Sequence, residues 1–211
     1  MLSHRAPNVT VLNAADGEIV GTIDLGGAPE QAATDENGHI YIDIEDKSNV
    51  AVVDAKTLKV TAHYDLKGKG GTPAGLALDA KNHVLFVCCR NPQVAVILNA
   101  EDGKVLATLP IGNGVDAAEF NPKTMEAFSS HRDGTLTVIK ETSPTTFEVE
   151  QTVKTMQGAK TSTLDLKTGQ IFLIAAQTAP APQGQADAQG GRRGRGGATV
   201  PDSFSILVVG K

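Results

Sequence analysis

Tryptophan is absent from this 211-residue sequence, tyrosine occurs twice and phenylalanine six times. A core made from such a chain is aliphatic, filled by Val, Ile, Leu and Ala. The only two cysteines, Cys88 and Cys89, are consecutive. Neighbours on a strand point to opposite faces and cannot bridge, so a disulfide framework is excluded. With no second Cys or His at ligand spacing, structural zinc is disfavoured and the pair reads as two small buried hydrophobes. No run of about 18 apolar residues occurs, which excludes a transmembrane helix. The start, Met1-Leu2-Ser3-His4-Arg5, has no cationic segment followed by an apolar run, so no signal peptide is visible. Positive charge is in deficit, 19 Lys plus Arg against 24 Asp plus Glu for a net charge of −5. That disfavours nucleic acid and anionic membranes as partners. Helical periodicity with caps is missing throughout. What is abundant is glycine, 22 residues, with 40% hydrophobic residues, the composition of many short strands joined by turns.

Those strands repeat. Asn8-Val9-Thr10-Val11-Leu12, Asn49-Val50-Ala51-Val52-Val53, Gln93-Val94-Ala95-Val96-Ile97, Thr135-Leu136-Thr137-Val138-Ile139 and Ser203-Phe204-Ser205-Ile206-Leu207 are five copies of one alternating segment. Measured from the second residue of each copy, the spacings are 41, 44, 42 and 68. Removing the segment from Thr178 to Asp202 brings the last to 43, so that segment is an insertion. Each period predicts four strands, with Asp16-Gly17, Asn37-Gly38, Asp102-Gly103 and Asp133-Gly134 as turns between them. Four strands per repeat is a propeller blade.

The blades resemble the bacterial β-propeller family marked by a Tyr-Val-Thr-Asn signature, whose place is taken here by Ile40-Tyr41-Ile42-Asp43, Leu85-Phe86-Val87-Cys88, Ala127-Phe128-Ser129-Ser130 and Ile171-Phe172-Leu173-Ile174. The resemblance covers nearly the whole chain outside the insertion. It implies a lactonase-like fold of seven blades and an exported protein, periplasmic or secreted and bacterial. With strands named a to d from the channel outward, the chain opens on c and d, runs through three complete sets and ends on a, b and c, seventeen strands in all. The expected fold is therefore an all-β propeller of four-stranded antiparallel blades, about four blades plus a partial one, incomplete relative to a seven-bladed ring. Leu2 to Asn8 read as the end of a b strand and its turn, so the chain starts in mid-blade and is expected to be the C-terminal part of a longer propeller. A four-bladed ring and a ring assembled from two chains are the alternatives. An open blade edge favours self-association.

Catalytic signatures are lacking: there is no nucleophile elbow, zinc-protease helix, P-loop or EF-hand. Gly112-Asn113-Gly114-Val115-Asp116-Ala117 matches a dinucleotide pattern but leads into a strand, where no helix N-terminus can hold a pyrophosphate. Aligning the inner strands places Glu30, Ala74, Asp116 and Lys160 in one column at the mouth of the central channel. The loops from d to a and from b to c open on that rim, adding Glu45, Asp46, Arg90, His131, Arg132 and Asp133. In the functional reading Glu30 and Asp116 hold a divalent cation such as calcium or a polar ligand, Lys160, Arg132 and Arg90 attract an anionic group, and His131 transfers protons. The plain alternative is a solvated rim. Glu119 lies further down strand a among small residues, where it lines a water-filled channel, binds metal or meets solvent. His39 and His83 fall on the opposite face and His63 on an outer strand, all read as surface residues.

The insertion is rich in Pro, Gly, Gln and Ala and is expected to be a disordered rim loop. Its Arg-Gly cluster reads as a solvated flap ahead of an RNA contact. The function expected from these residues is a non-catalytic scaffold that binds a ligand or protein at the propeller rim. The alternative is a lactonase-like or other metal-assisted hydrolase at the channel mouth.

Overall fold

The computed structural model describes residues 1–179 and 198–210. Among them, eighteen strands form five antiparallel sheets in chain order. The first sheet holds β1 (Leu2–Ser3), β2 (Asn8–Leu12) and β3 (Ile19–Asp24), and the second β4 (Pro29–Thr34), β5 (His39–Ile44), β6 (Asn49–Asp54) and β7 (Lys59–Asp65). The third holds β8 (Pro73–Asp79), β9 (Val84–Cys89), β10 (Val94–Asn99) and β11 (Val105–Pro110). The fourth holds β12 (Val115–Asn121), β13 (Glu126–His131), β14 (Thr135–Ser143) and β15 (Thr146–Lys154), and the fifth β16 (Thr161–Asp165), β17 (Gln170–Ala175) and β18 (Ser205–Val209). The count exceeds the expected seventeen by one. Leu2 and Ser3 pair with Val9 and Asn8 and make a short b strand, where the sequence suggested only its end.

Alternation explains the packing. In β6 and β10 both faces are buried, because each sheet lies between two others and the apolar side chains on either face meet a neighbour. Four aliphatic cores result, one between each pair of successive sheets. Ile23, Ile42, Ile44 and Val53 join the first and second, while Tyr41, Val52, Leu76, Val87 and Leu98 join the second and third. Phe86, Ile97, Ala118 and Ile139 join the third and fourth, and Phe128, Leu136, Ile171 and Leu173 the fourth and fifth. Five sheets with four cores make an arc. Accordingly Ile174, Phe204, Ile206 and Val208 on the fifth sheet and Leu12, Ile19 and Val20 on the first are exposed. Cys88 and Cys89 are both buried and free, Cys88 facing one core and Cys89 another.

The inner strands β4, β8, β12 and β16 contact one another in order and line the axis. Three of them carry the same irregularity. The register slips between Pro29 and Ala32, between Pro73 and Gly75, and between Val115 and Ala117. Such bulges leave an extra residue unpaired and re-aim its side chain; here the extra residues include Glu30, Gln31, Ala74 and Asp116. Gly75 has a separate role, since a Cβ there would come within 3.0 Å of the Ala117 backbone, so its lack of a side chain lets β8 and β12 approach closely.

The insertion leaves and rejoins the fifth sheet between β17 and β18. Its ends are paired: Thr178 bridges Thr199, with Ala179 N donating to Ala198 O and Val200 N to Gln177 O, each at 2.8 Å. The expected disordered loop lies otherwise outside the described residues.

Candidate functional site

The bulges, the loops from b to c and the loop leading into β16 bring six charged or titratable side chains from five sheets to one end of the axis. Arg90, directly after β9, is the hub. Its backbone is pinned by an N–H bond to Thr72 O at 3.1 Å, and its Nε donates to Val115 O at 2.9 Å. Nη1 lies 2.6 Å from Glu45 and 3.6 Å from Glu30, and Nη2 is 3.1 Å from Asp116. Asp116 also receives Lys160 Nζ at 2.5 Å and the Thr161 hydroxyl at 2.7 Å. His4, on the turn after β1, stands 3.6 Å from both Glu30 and Glu45. A guanidinium presents several donors in a fixed fork, so Arg90 can serve the second, third and fourth sheets at once.

Three carboxylates share two fixed cations, and the sharing is unequal. Burial alone would raise Asp116, but hydrogen bonds from Lys160 and Thr161 and the charges of Lys160 and Arg90 outweigh it and hold its carboxyl below the usual range. Glu30 moves the other way. Burial raises it, Arg90 only partly compensates, and the neighbouring Glu45 raises it further. Of these two carboxylates, Glu30 is the less neutralised.

Of the residues singled out in the sequence, Glu30, Asp116, Lys160 and Arg90 meet in this network. His131 requires a correction: it does not face the mouth as a proton-transfer group. The ring is fully buried, with Nδ1 against Thr135 O at 3.0 Å and Nε2 without a partner, and burial lowers its pKa so that it stays neutral. Arg132 is exposed on the same turn, its backbone tied by its N–H to Gly114 O at 3.0 Å and by its carbonyl, which accepts Gly158 N at 2.8 Å.

Glu119 faces inward, below the mouth. Ser162 Oγ is 2.9 and 3.1 Å from its two oxygens and 2.9 Å from Ser130 Oγ, which itself donates to Lys160 O at 2.5 Å. One Ser162 proton cannot satisfy both neighbours, and a protonated Glu119 resolves the conflict by supplying the second proton. Burial acts in the same direction, pushing Glu119 up to about 7. Asp43 on β5 is also buried and pushed up to about 7 by its burial. Its Oδ1 accepts the Gln31 N–H of the bulge at 2.5 Å, and its Oδ2 has no partner. Gln31 closes the channel wall: its Oε1 accepts Leu76 N and Ala118 N at 3.0 Å, and its Nε2 donates to Ala118 O at 2.9 Å.

His4, Gln31, Thr161 and Ser162 were not selected from the sequence. His4 had a signal, since His4-Arg5 repeats His131-Arg132. Gln31 had only its place after Glu30, and the serine and threonine had none.

His4, Glu30 and Glu45 each bring one ligand atom within 4.8 Å of the others. Calcium, which takes about six to eight oxygens, does not fit this set: one donor is an imidazole nitrogen, and Arg90 already holds both carboxylates. A smaller ion that accepts nitrogen suits the donors better.

No known sequence family matches the chain, and no curated protein matches it in sequence. Solved structures do match. Hydrazine synthase of Kuenenia stuttgartiensis superposes with TM-score 0.62 at 15% identity, over 72% of this chain and 43% of that one. The dihydro-heme d1 dehydrogenase NirN in complex with DHE gives 0.61 at 16% identity, over 84% and 39%. A chain of the mitotic checkpoint complex gives 0.68 at 13% identity, over 80% and 53%. The matches thus span about half or less of those chains. At such identity the likeness speaks for fold alone, and the fold is that of a β-propeller protein.

Proposed function

We propose that the chain is a non-catalytic binding scaffold whose channel mouth takes a polar ligand or a charged segment of a partner protein. The observation that carries this reading is the Arg90 network, in which fixed charges from several sheets neutralise one another around one hub. Such an array is pre-organised to exchange its internal partners for those of a ligand at small ordering cost. His131, which the sequence placed at the mouth as a proton-transfer group, is buried, and burial lowers its pKa; the imidazole that stands at the mouth, His4, faces the carboxylates of Glu30 and Glu45. A bacterial, exported protein of the Tyr-Val-Thr-Asn type belongs to the same proposal, on the resemblance of the blades alone. No helix among the described residues is long and apolar enough to cross a membrane. Self-association through the fifth sheet is also proposed: among the described residues β18 has no outer partner strand, and Phe204, Ile206 and Val208 stand exposed at alternate positions.

One observation favours a second reading, metal-assisted hydrolysis: the approach of His4, Glu30 and Glu45. A single experiment separates the two. Purified chain and its Glu30→Gln/Glu45→Gln variant are incubated with lactones and aryl esters in zinc or calcium, and both are probed on an array of charged peptides. The scaffold reading expects equal, background turnover and peptide binding that Arg90→Ala abolishes. Metal-dependent turnover that vanishes in the double variant establishes the hydrolase instead.

A further inference from the structure

The rim opposite the mouth carries a second concavity, between the second and third sheets. Its volume is about 430 Å³, and its wall includes Asp35, His39, Tyr41, Tyr64, His83 and Glu101. The two tyrosines come from β5 and β7, and both point their hydroxyls at the turn after β10. Tyr41 Oη donates to Ala100 O at 3.1 Å; Tyr64 Oη reaches Ala100 O at 2.9 Å and Glu101 O at 3.0 Å. Gly103 holds the Tyr64 ring in place, since a Cβ at that position would lie 2.4 Å from the ring.

Several of the wall's donors are already engaged, while Asn37 and His83 also line it. The phenol protons are spent on backbone, the Thr61 hydroxyl is spent on Val52 O at 3.2 Å, and His39 Nδ1 is spent on Asp35 Oδ2 at 2.7 Å. What remains is negative charge: the Asp35 carboxylate, whose oxygens already accept from Asn37 N, His39 N and the His39 ring, and the exposed Glu101 carboxylate, beside the ring of Tyr64 and the largely buried ring of Tyr41. Among the described residues no Lys or Arg lines it. Aromatic faces and carboxylates together attract a cation, and a large, weakly hydrated one gains most from the rings.

We propose that this cavity binds a small organic cation, an alkylammonium group seated against Tyr41 and Tyr64 with Asp35 and Glu101 as counter-charges. The site is separate from the Arg90 mouth and does not depend on its function.

The protein is suited to the test because it has two tyrosines and no tryptophan. Intrinsic fluorescence therefore reports on this cavity alone. Titration with tetramethylammonium chloride, against sodium chloride at equal ionic strength, is expected to give a saturable change in tyrosine emission that sodium chloride does not reproduce. Glu101 is exposed, with 67% of its side chain accessible, so its replacement leaves the fold intact. Glu101→Gln is expected to raise the dissociation constant about fivefold and Glu101→Lys about tenfold or more. An equal response to sodium chloride, or a constant that stays flat across the Gln and Lys variants, overturns the proposal.

Discussion

Asp116 and Asp43 are the same residue type, both lie near the axis, and they titrate in opposite directions. Asp116 sits where Lys160, Thr161 and Arg90 converge, and its carboxyl is held below the usual range. Asp43 is a few residues deeper, has one backbone donor at its Oδ1 and none at its Oδ2, and rises to about 7. Glu119 shares the deeper environment and the same rise. Burial raises all three acids; it dominates at the more deeply buried Asp43 and Glu119, whereas at Asp116 the hydrogen bonds of Lys160 and Thr161 and two cations outweigh it. The mouth is thus a compensated layer of fixed charge, and beneath it lies a layer of buried acids whose titration is pushed up to about 7.

The strongest way to break this arrangement is to remove the amide between the layers. Gln31→Ala strands the N–H groups of Leu76 and Ala118 and one acceptor, and is expected to cost about 3 kcal/mol in urea denaturation. Arg90→Ala comes next: it leaves Glu30, Glu45 and Asp116 facing each other with Lys160 as the remaining fixed cation, at a cost on the order of 2 kcal/mol because the group is partly exposed. In that variant Asp116 should titrate at higher pH than in the parent, which carboxylate NMR can follow.

The pH profile sharpens the contrast. Asp43 and Glu119 have folded pKa values raised to about 7, and so has Glu141, through its burial. Their stabilising contribution is complete below about pH 4, where unfolded carboxyls titrate, and is lost as pH rises through about 7. Asp116 has the opposite sign: its contribution is present above about pH 4 and fades as pH falls through its depressed value. Thermal unfolding should accordingly peak near about pH 4 to 5 and decline toward pH 8 by on the order of 2 kcal/mol. Glu119→Gln should flatten that decline and leave the acid limb unchanged. Lys160→Met is expected to have the smallest effect, below about 1 kcal/mol, since Arg90 still serves Asp116 and the lysine is a third exposed.

The two histidines of the repeated His-Arg pair show how far the sequence could be read. His4 and His131 occupy equivalent turns between b and c strands. His131 ends a complete β13 and packs against Thr135, fully buried. His4 follows a two-residue β1 and stands half-exposed beside Glu30 and Glu45. Their local sequences match, and what differs is the amount of sheet around each. The same holds for Arg90 and Arg132. Both follow b strands, yet only Arg90 lies between two bulges that carry acids. Among the deeper residues, Asp43 was visible only as the last position of a signature, and the raised pKa of Glu119 comes from its burial beside Ser130 and Ser162, which carry no sequence signal of their own.

Composition, the 41-to-44-residue period and the Asn-Gly and Asp-Gly turns determined by themselves that the chain makes antiparallel blades, which strand is innermost and which rim the b-to-c turns face. Those features depend on side-chain alternation and turn chemistry, which act within one repeat. Only the tertiary structure decided which charges share a partner, which acids keep their protons and which histidine is buried. Those outcomes depend on distances of a few ångströms between residues of different sheets, set by three register slips and the angle at which each sheet packs on the next.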